Sequence, residues 1–126
     1  MNNSEVTIAI KNLCGNASVL RNGWIHFVYH YLHYLNIPDD TSEMIRMSIP
    51  HVANSNDFKK ETVVSAVNET NREMKFIKAI VLKNGSISPN YDHKISQTEN
   101  VGDILEHIIK SLYVASKYLL RKLESI

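Results

Sequence analysis

Three histidines offer the most direct route from this sequence to chemistry. His26, His30 and His33 follow one another at intervals of four and three, so on an α-helix all three project from one side. Imidazoles so placed are ligands for zinc, nickel or copper. Asp103 and His107, one helical turn apart, could complete such a site. On the same helix Trp24, Val28, Tyr31 and Leu35 form the opposite, apolar stripe. The histidines then face water or a partner, and the simpler expectation is no bound metal and no cofactor.

The segment from Trp24 to Leu35 carries aromatic residues on more than one side. A helix apolar around most of its circumference is central to a bundle or covered by another chain. Tyrosine and tryptophan suit interfaces because each combines a large apolar area with a polar tip. Trp24, Phe27, Tyr29, His30, Tyr31, His33 and Tyr34 are therefore the expected contact surface.

A second pattern precedes it. Arg21-Asn-Gly-Trp-Ile-His26 resembles the signature of HEPN-domain ribonucleases, which are small helical proteins. The resemblance spans these six residues. It implies that Arg21 binds the scissile phosphate and His26 does acid–base work at a dimer interface, with RNA as substrate. A cation beside an imidazole suits phosphate-ester cleavage. Arg46-Met-Ser-Ile-Pro-His51 repeats the spacing. Glycine-rich phosphate loops, His-Glu-x-x-His and nucleophile elbows are absent from the sequence.

The elements that must position these residues read as helices. Val101, Ile104, Leu105, Ile108, Leu112, Ala115, Leu119, Leu123 and Ile126 make one unbroken stripe. Ser96-Gln-Thr-Glu99 ahead of it has the form of a capping box. Val63, Val67, Thr70, Met74, Ile77 and Val81 form a second stripe. Its end competes with a β-hairpin, because 76–82 is rich in β-branched residues and Lys83-Asn84-Gly85-Ser86 is a turn signal. The stripe keeps its phase for six positions, which favours the helix. Val6, Ile10, Leu13, Ala17, Leu20, Trp24, Val28, Tyr31 and Leu35 also share a helical phase, broken by Gly15 and Gly23, which predicts a kinked or divided helix. A short helix is expected from Asp40 or Thr41 to Ile49, and a loop over 86–98.

Composition sets outer bounds. The chain of 126 residues has 44% hydrophobic residues and a formal charge of +1, which suits a globular domain without a general field for nucleic acid or membrane. Cys14 is the sole cysteine, so an internal disulfide and a cysteine zinc site are excluded. No signal-peptide pattern opens the sequence, and the expected location is cytoplasmic. The expected fold is mainly α, a single domain over 1–126 of four or five bundled helices, with a short hairpin at Asn84-Gly85 as the variant. The expected function is a small regulatory or adaptor module that binds protein and self-associates. The ribonuclease is the alternative, with nucleic acid as a partner only there. A metal-binding protein using His26, His30 and His33 is third.

Overall fold

The computed structural model describes residues 3–41, 44–96 and 98–125. Helix α1 (Asn3–Leu13) leads into a meander of β1 (Ser18–Val19), β2 (Ile25–Tyr29), β3 (Leu32–Ile37) and β4 (Met44–Ser48). β5 (Ala53–Asn54) and a single 3-10 turn precede α2 (Lys60–Glu73), the hairpin β6 (Ile77–Val81) and β7 (Ser86–Lys94), and then α3 (Val101–Glu124). All strand pairings are antiparallel. Tyr91 is paired with both Met47 and Ile77, so β4 and β6 flank β7 on opposite sides. Ile87 is paired with both Ala53 and Val81, which sets β5 in line with β4.

One face of this sheet is dry. Ile25, Phe27, Tyr34, Ile45, Met47, Ile77 and Tyr91 share a core with Val6 and Ile10 of α1 and Leu105, Ile108 and Leu112 of α3. A second cluster joins Val63 and Ala66 of α2 to Ile87, Leu119 and Leu123. The α3 stripe lies between α1 and α2 and reaches β4, β6 and β7. Phe27 and Tyr34 stack with ring centroids 5.0 Å apart, and the buried Tyr34 hydroxyl donates to the Ile109 carbonyl of α3 at 2.9 Å. Burial pushes the Tyr34 phenol well above its ordinary pKa. No helix among the described residues is long and apolar enough to cross a membrane.

The expected helical bundle is thus overturned by a seven-stranded sheet. The N-terminal helix ends at Leu13, and Trp24–Leu35 contains a β-hairpin instead of a helix. A step of four residues stays on one face in a strand as well as in a helix, so the stripe did not discriminate between them. The hairpin turns through His30 and Tyr31, with φ of 47° and 68°, where glycine or asparagine would have signalled it. The short helix expected to Ile49 is strand β4, with Ser42 and Glu43 outside the described residues.

The stripe through Val81 is divided: α2 stops at Glu73 and the competing hairpin forms. Gly85, with φ of 90°, sits in its turn. The expected loop over 86–98 is largely the central strand β7. Pro89 fits there because residues 49–52 bulge opposite Ser88 and Pro89, and a bulge tolerates the missing N–H. α3 matches its stripe, although Ile126 lies outside the described residues. Its cap is Asn100, whose side chain accepts from the Asp103 N–H. The expected box is only half made: Glu99 accepts the Ser96 N–H at 2.9 Å, and Gln97 lies outside the described residues.

Truncation of the fully buried Leu112 to alanine is expected to cost about 2–5 kcal/mol. Tyr34→Phe, which removes one net hydrogen bond, is expected to cost about 1 kcal/mol. Urea unfolding followed by circular dichroism measures both, and equal losses would contradict this division between packing and polar pairing.

Candidate functional site

All three helices pack on the dry face, which leaves the other face uncovered. Alternation along the strands sends His26 and Val28 of β2, His33, Leu35 and Ile37 of β3, and Arg46 and Ser48 of β4 to that side. Asn90 and Asp92 of β7 and Lys78 and Ile80 of β6 continue it. Val28, Leu35, Ile37 and Ile80 belong to neither core cluster. Ser48 and Ser88 are buried and paired with each other: the Ser88 hydroxyl donates to the Ile49 carbonyl at 2.7 Å, so the Ser48 hydroxyl donates to Ser88 at 3.1 Å.

A groove of about 570 Å³ opens here, walled by Ile37, Arg46, Phe76, Lys78, Ile80 and Asp92. Arg46 holds Asp92 across the β4–β7 pair through Nε at 3.1 Å and Nη2 at 3.4 Å. The pair is half-exposed, so it fixes the shape of the wall more than it stabilises the fold. Phe76 stands 75% exposed at the rim with φ of 67°. It also borders a second cavity of about 390 Å³ lined by Tyr91, His93, Glu99, Asp103, Ile104 and His107. There His93 Nε2 contacts both Glu99 oxygens, at 3.0 and 3.2 Å. That hydrogen bond, followed by the Ser96 N–H, holds the Glu99 carboxyl below its usual range.

Asparagine side chains close the sheet beside two edge positions. Asn16 donates to the Val28 carbonyl at 3.0 Å and accepts the Val28 N–H at 2.9 Å. At the opposite edge Asn71 of α2 does the same to Ala79 of β6, at 3.1 and 2.6 Å. Each primary amide presents one donor and one acceptor to the same residue, as a neighbouring strand's peptide groups would. An unpaired edge invites another strand, and such caps remove the invitation locally.

The residues singled out from sequence are dispersed by this arrangement. His26 Nε2 and His33 Nδ1 meet at 2.9 Å on the open face. His30 sits at the hairpin tip against Tyr29 and Tyr113, with ring centroids 4.3 and 5.3 Å apart. Asp103 and His107 line the separate Phe76–Tyr91 cavity, and no group of three or more metal-ligating side chains occurs among the described residues. Arg21 is exposed in the turn before β2, and the helix implied for Arg21 and His26 by the ribonuclease resemblance is absent. Phe27 and Tyr34 are wholly buried, Trp24 and Tyr29 are half-buried, and Tyr31 is 96% exposed. Ile37, Ile80 and Asp92 were not singled out from sequence, and Arg46 was noted only for its spacing to His51, because they become neighbours only through strand register.

No protein-family model and no curated protein matches the sequence. Solved structures do match the fold. A chain in the crystal structure of the ExsC–ExsE complex superposes with a TM-score of 0.75 at 11% identity, covering 98% of this chain and 97% of that one. The Yersinia pestis type III secretion chaperone SycH, in complex with a stable fragment of YscM2, gives 0.67 at 12% identity over 94% and 99%. The heterodimeric ExoU–SpcU complex of the Pseudomonas aeruginosa type III secretion system gives 0.60 at 9% identity over 94% and 97%. The chain therefore has the α/β fold found in type III secretion chaperone structures.

Removing the Asn71 cap should leave the Ala79 backbone groups without their partners. Asn71→Ala is expected to lose about 1–3 kcal/mol and to associate more strongly with rising concentration. Urea unfolding and light scattering test this, and a variant unchanged in both would show that the edge does not need the cap.

Proposed function

We propose that this chain is a protein-interaction module of the secretion-chaperone kind, holding a segment of another protein against the uncovered face of its sheet. The observation that carries this reading is the placement of all three helices on one face. That leaves Val28 and Leu35 on an uncovered face whose groove of about 570 Å³ is lined by Ile37 and Ile80. The mixture of apolar residues with Arg46, Lys78 and Asp92 suits a segment that is folded or solvated elsewhere before it docks. The asparagine caps favour docking on the face over strand addition at Val28 and Ala79. The likeness to SycH, determined with a fragment of YscM2, and to the two-protein complexes ExsC–ExsE and ExoU–SpcU supports the same reading. Self-association belongs to the proposal too, supported by the exposure of Val64 on α2 and of Val81 on β6.

Site-specific photo-crosslinking in cells tests the docking face. A photoreactive residue at Ile37 or Ile80 is expected to trap a discrete partner, whereas one at the exposed Ile8 of α1 is not. Ile37→Glu combined with Ile80→Glu is expected to weaken that partner's binding about tenfold or more, equivalent to about 1.4 kcal/mol. Crosslinking at Ile8 as strong as at Ile37 and Ile80, or none at either, overturns the reading.

A further inference from the structure

His26 and His33 are diagonal neighbours on the open face, since His26 is paired with Leu35 and His33 with Val28. Their rings lie 21° from parallel, with Nε2 of one 2.9 Å from Nδ1 of the other. The two backbones are held by five register pairs and by the Asn16 amide on Val28. We infer that this pair is a two-point chelate for a divalent copper or nickel ion, a site independent of the docking proposal.

Two neutral imidazoles that face each other can share either a proton or a metal ion. In the hydrogen bond one ring donates its N–H to the lone pair of the other. A metal needs both lone pairs, so the donating ring must carry its proton on the remote nitrogen, Nδ1 of His26 or Nε2 of His33. A neutral pair then binds the ion without net proton release, and each cationic ring releases one proton. Metal–nitrogen bonds of about 2.0–2.1 Å separate the two nitrogens by about 2.9 Å at a right angle and by about 3.3 Å at a tetrahedral angle. The 2.9 Å separation in this structure is that of a hydrogen bond, close enough that a modest tilt of the rings brings both nitrogens to one ion. Tetragonal copper(II) and nickel(II) accept such a cis pair with water in the remaining positions. To receive the ion, the two exposed rings tilt until their lone pairs converge. The ion's remaining positions face water, because no group of three or more ligating side chains occurs among the described residues. His30 takes no part, since the turn at His30 and Tyr31 carries it against Tyr29 and Tyr113.

Titration of the full chain with nickel(II) and copper(II) chlorides tests this, using calorimetry and the side-chain NMR signals of the histidines. One ion per chain is expected, with the His26 and His33 signals broadening first. Outer partners of a metal ligand are themselves worth about 10–100-fold in affinity, so His26→Ala and His33→Ala should each weaken binding at least about tenfold. His30→Ala and His51→Ala should leave it unchanged, and circular dichroism confirms that each variant is folded. Undiminished binding by folded His26→Ala, first broadening at His30, or the absence of saturable binding overturns the inference.

Discussion

The arrangement depends on keeping one side of a wide antiparallel sheet dry, and α3 carries most of that task. Its stripe from Leu105 to Leu123 is long enough to join two clusters, one shared with α1 and β2–β4, the other with α2 and Ile87. Neither α1 nor α2 spans both. The Tyr34 hydroxyl fixes the seating of α3 by donating to the Ile109 carbonyl. A dispersion contact tolerates small slides, but a buried hydroxyl left without its acceptor is penalised. That single polar point therefore helps set the position of the helix along the sheet, while the apolar stripe supplies most of the attraction.

Placing every helix on one side has a consequence for the other. Without a second layer, the open face keeps water-compatible neighbours around each apolar residue: Leu35 beside His26 and Ser48, Ile37 beside Arg46. The Arg46–Asp92 pair prevents the groove from becoming one continuous apolar patch. The edges receive a different treatment, in which one amide side chain stands in for part of a missing strand. Face and edges are thus managed by separate devices, and the face retains a groove.

The sequence revealed α3 because a stripe over so many turns admits one period only. It misled at Trp24–Leu35 because steps of four satisfy both periods, while the residues that alternate there, Ile25, Phe27 and His26, Val28, include an imidazole whose exposure no hydropathy value announces. The hairpin of β6 and β7 was visible in Asn84-Gly85, yet the α2 stripe runs in phase into Ile77 and Val81 and concealed the break after Glu73. The open-face groove was not legible at all. Ile37, Arg46, Asp92 and Ile80 come from four strands spread across more than fifty positions, and their meeting is a product of register. The histidines were legible as a group of three, but the turn conformation at His30 separates one from the other two.

Three bulky residues, His30, Tyr31 and Phe76, adopt positive φ where glycine or asparagine would do so with less strain. Such a residue costs about 1–3 kcal/mol, which surrounding structure must offset. At His30 the offset is visible in its contacts with Tyr29 and Tyr113. Tyr31 is almost fully exposed and gains little from packing, and Phe76 is three-quarters exposed with Tyr91 as its ring neighbour at 6.2 Å. Folding alone gives no reason to spend that strain on an exposed phenyl ring. The ring lines both the groove and the His93–Glu99 cavity, so under the proposed docking a segment crossing the rim would meet it. An aromatic side chain has few rotatable bonds to immobilise, so a ring presented in advance costs little further entropy on binding.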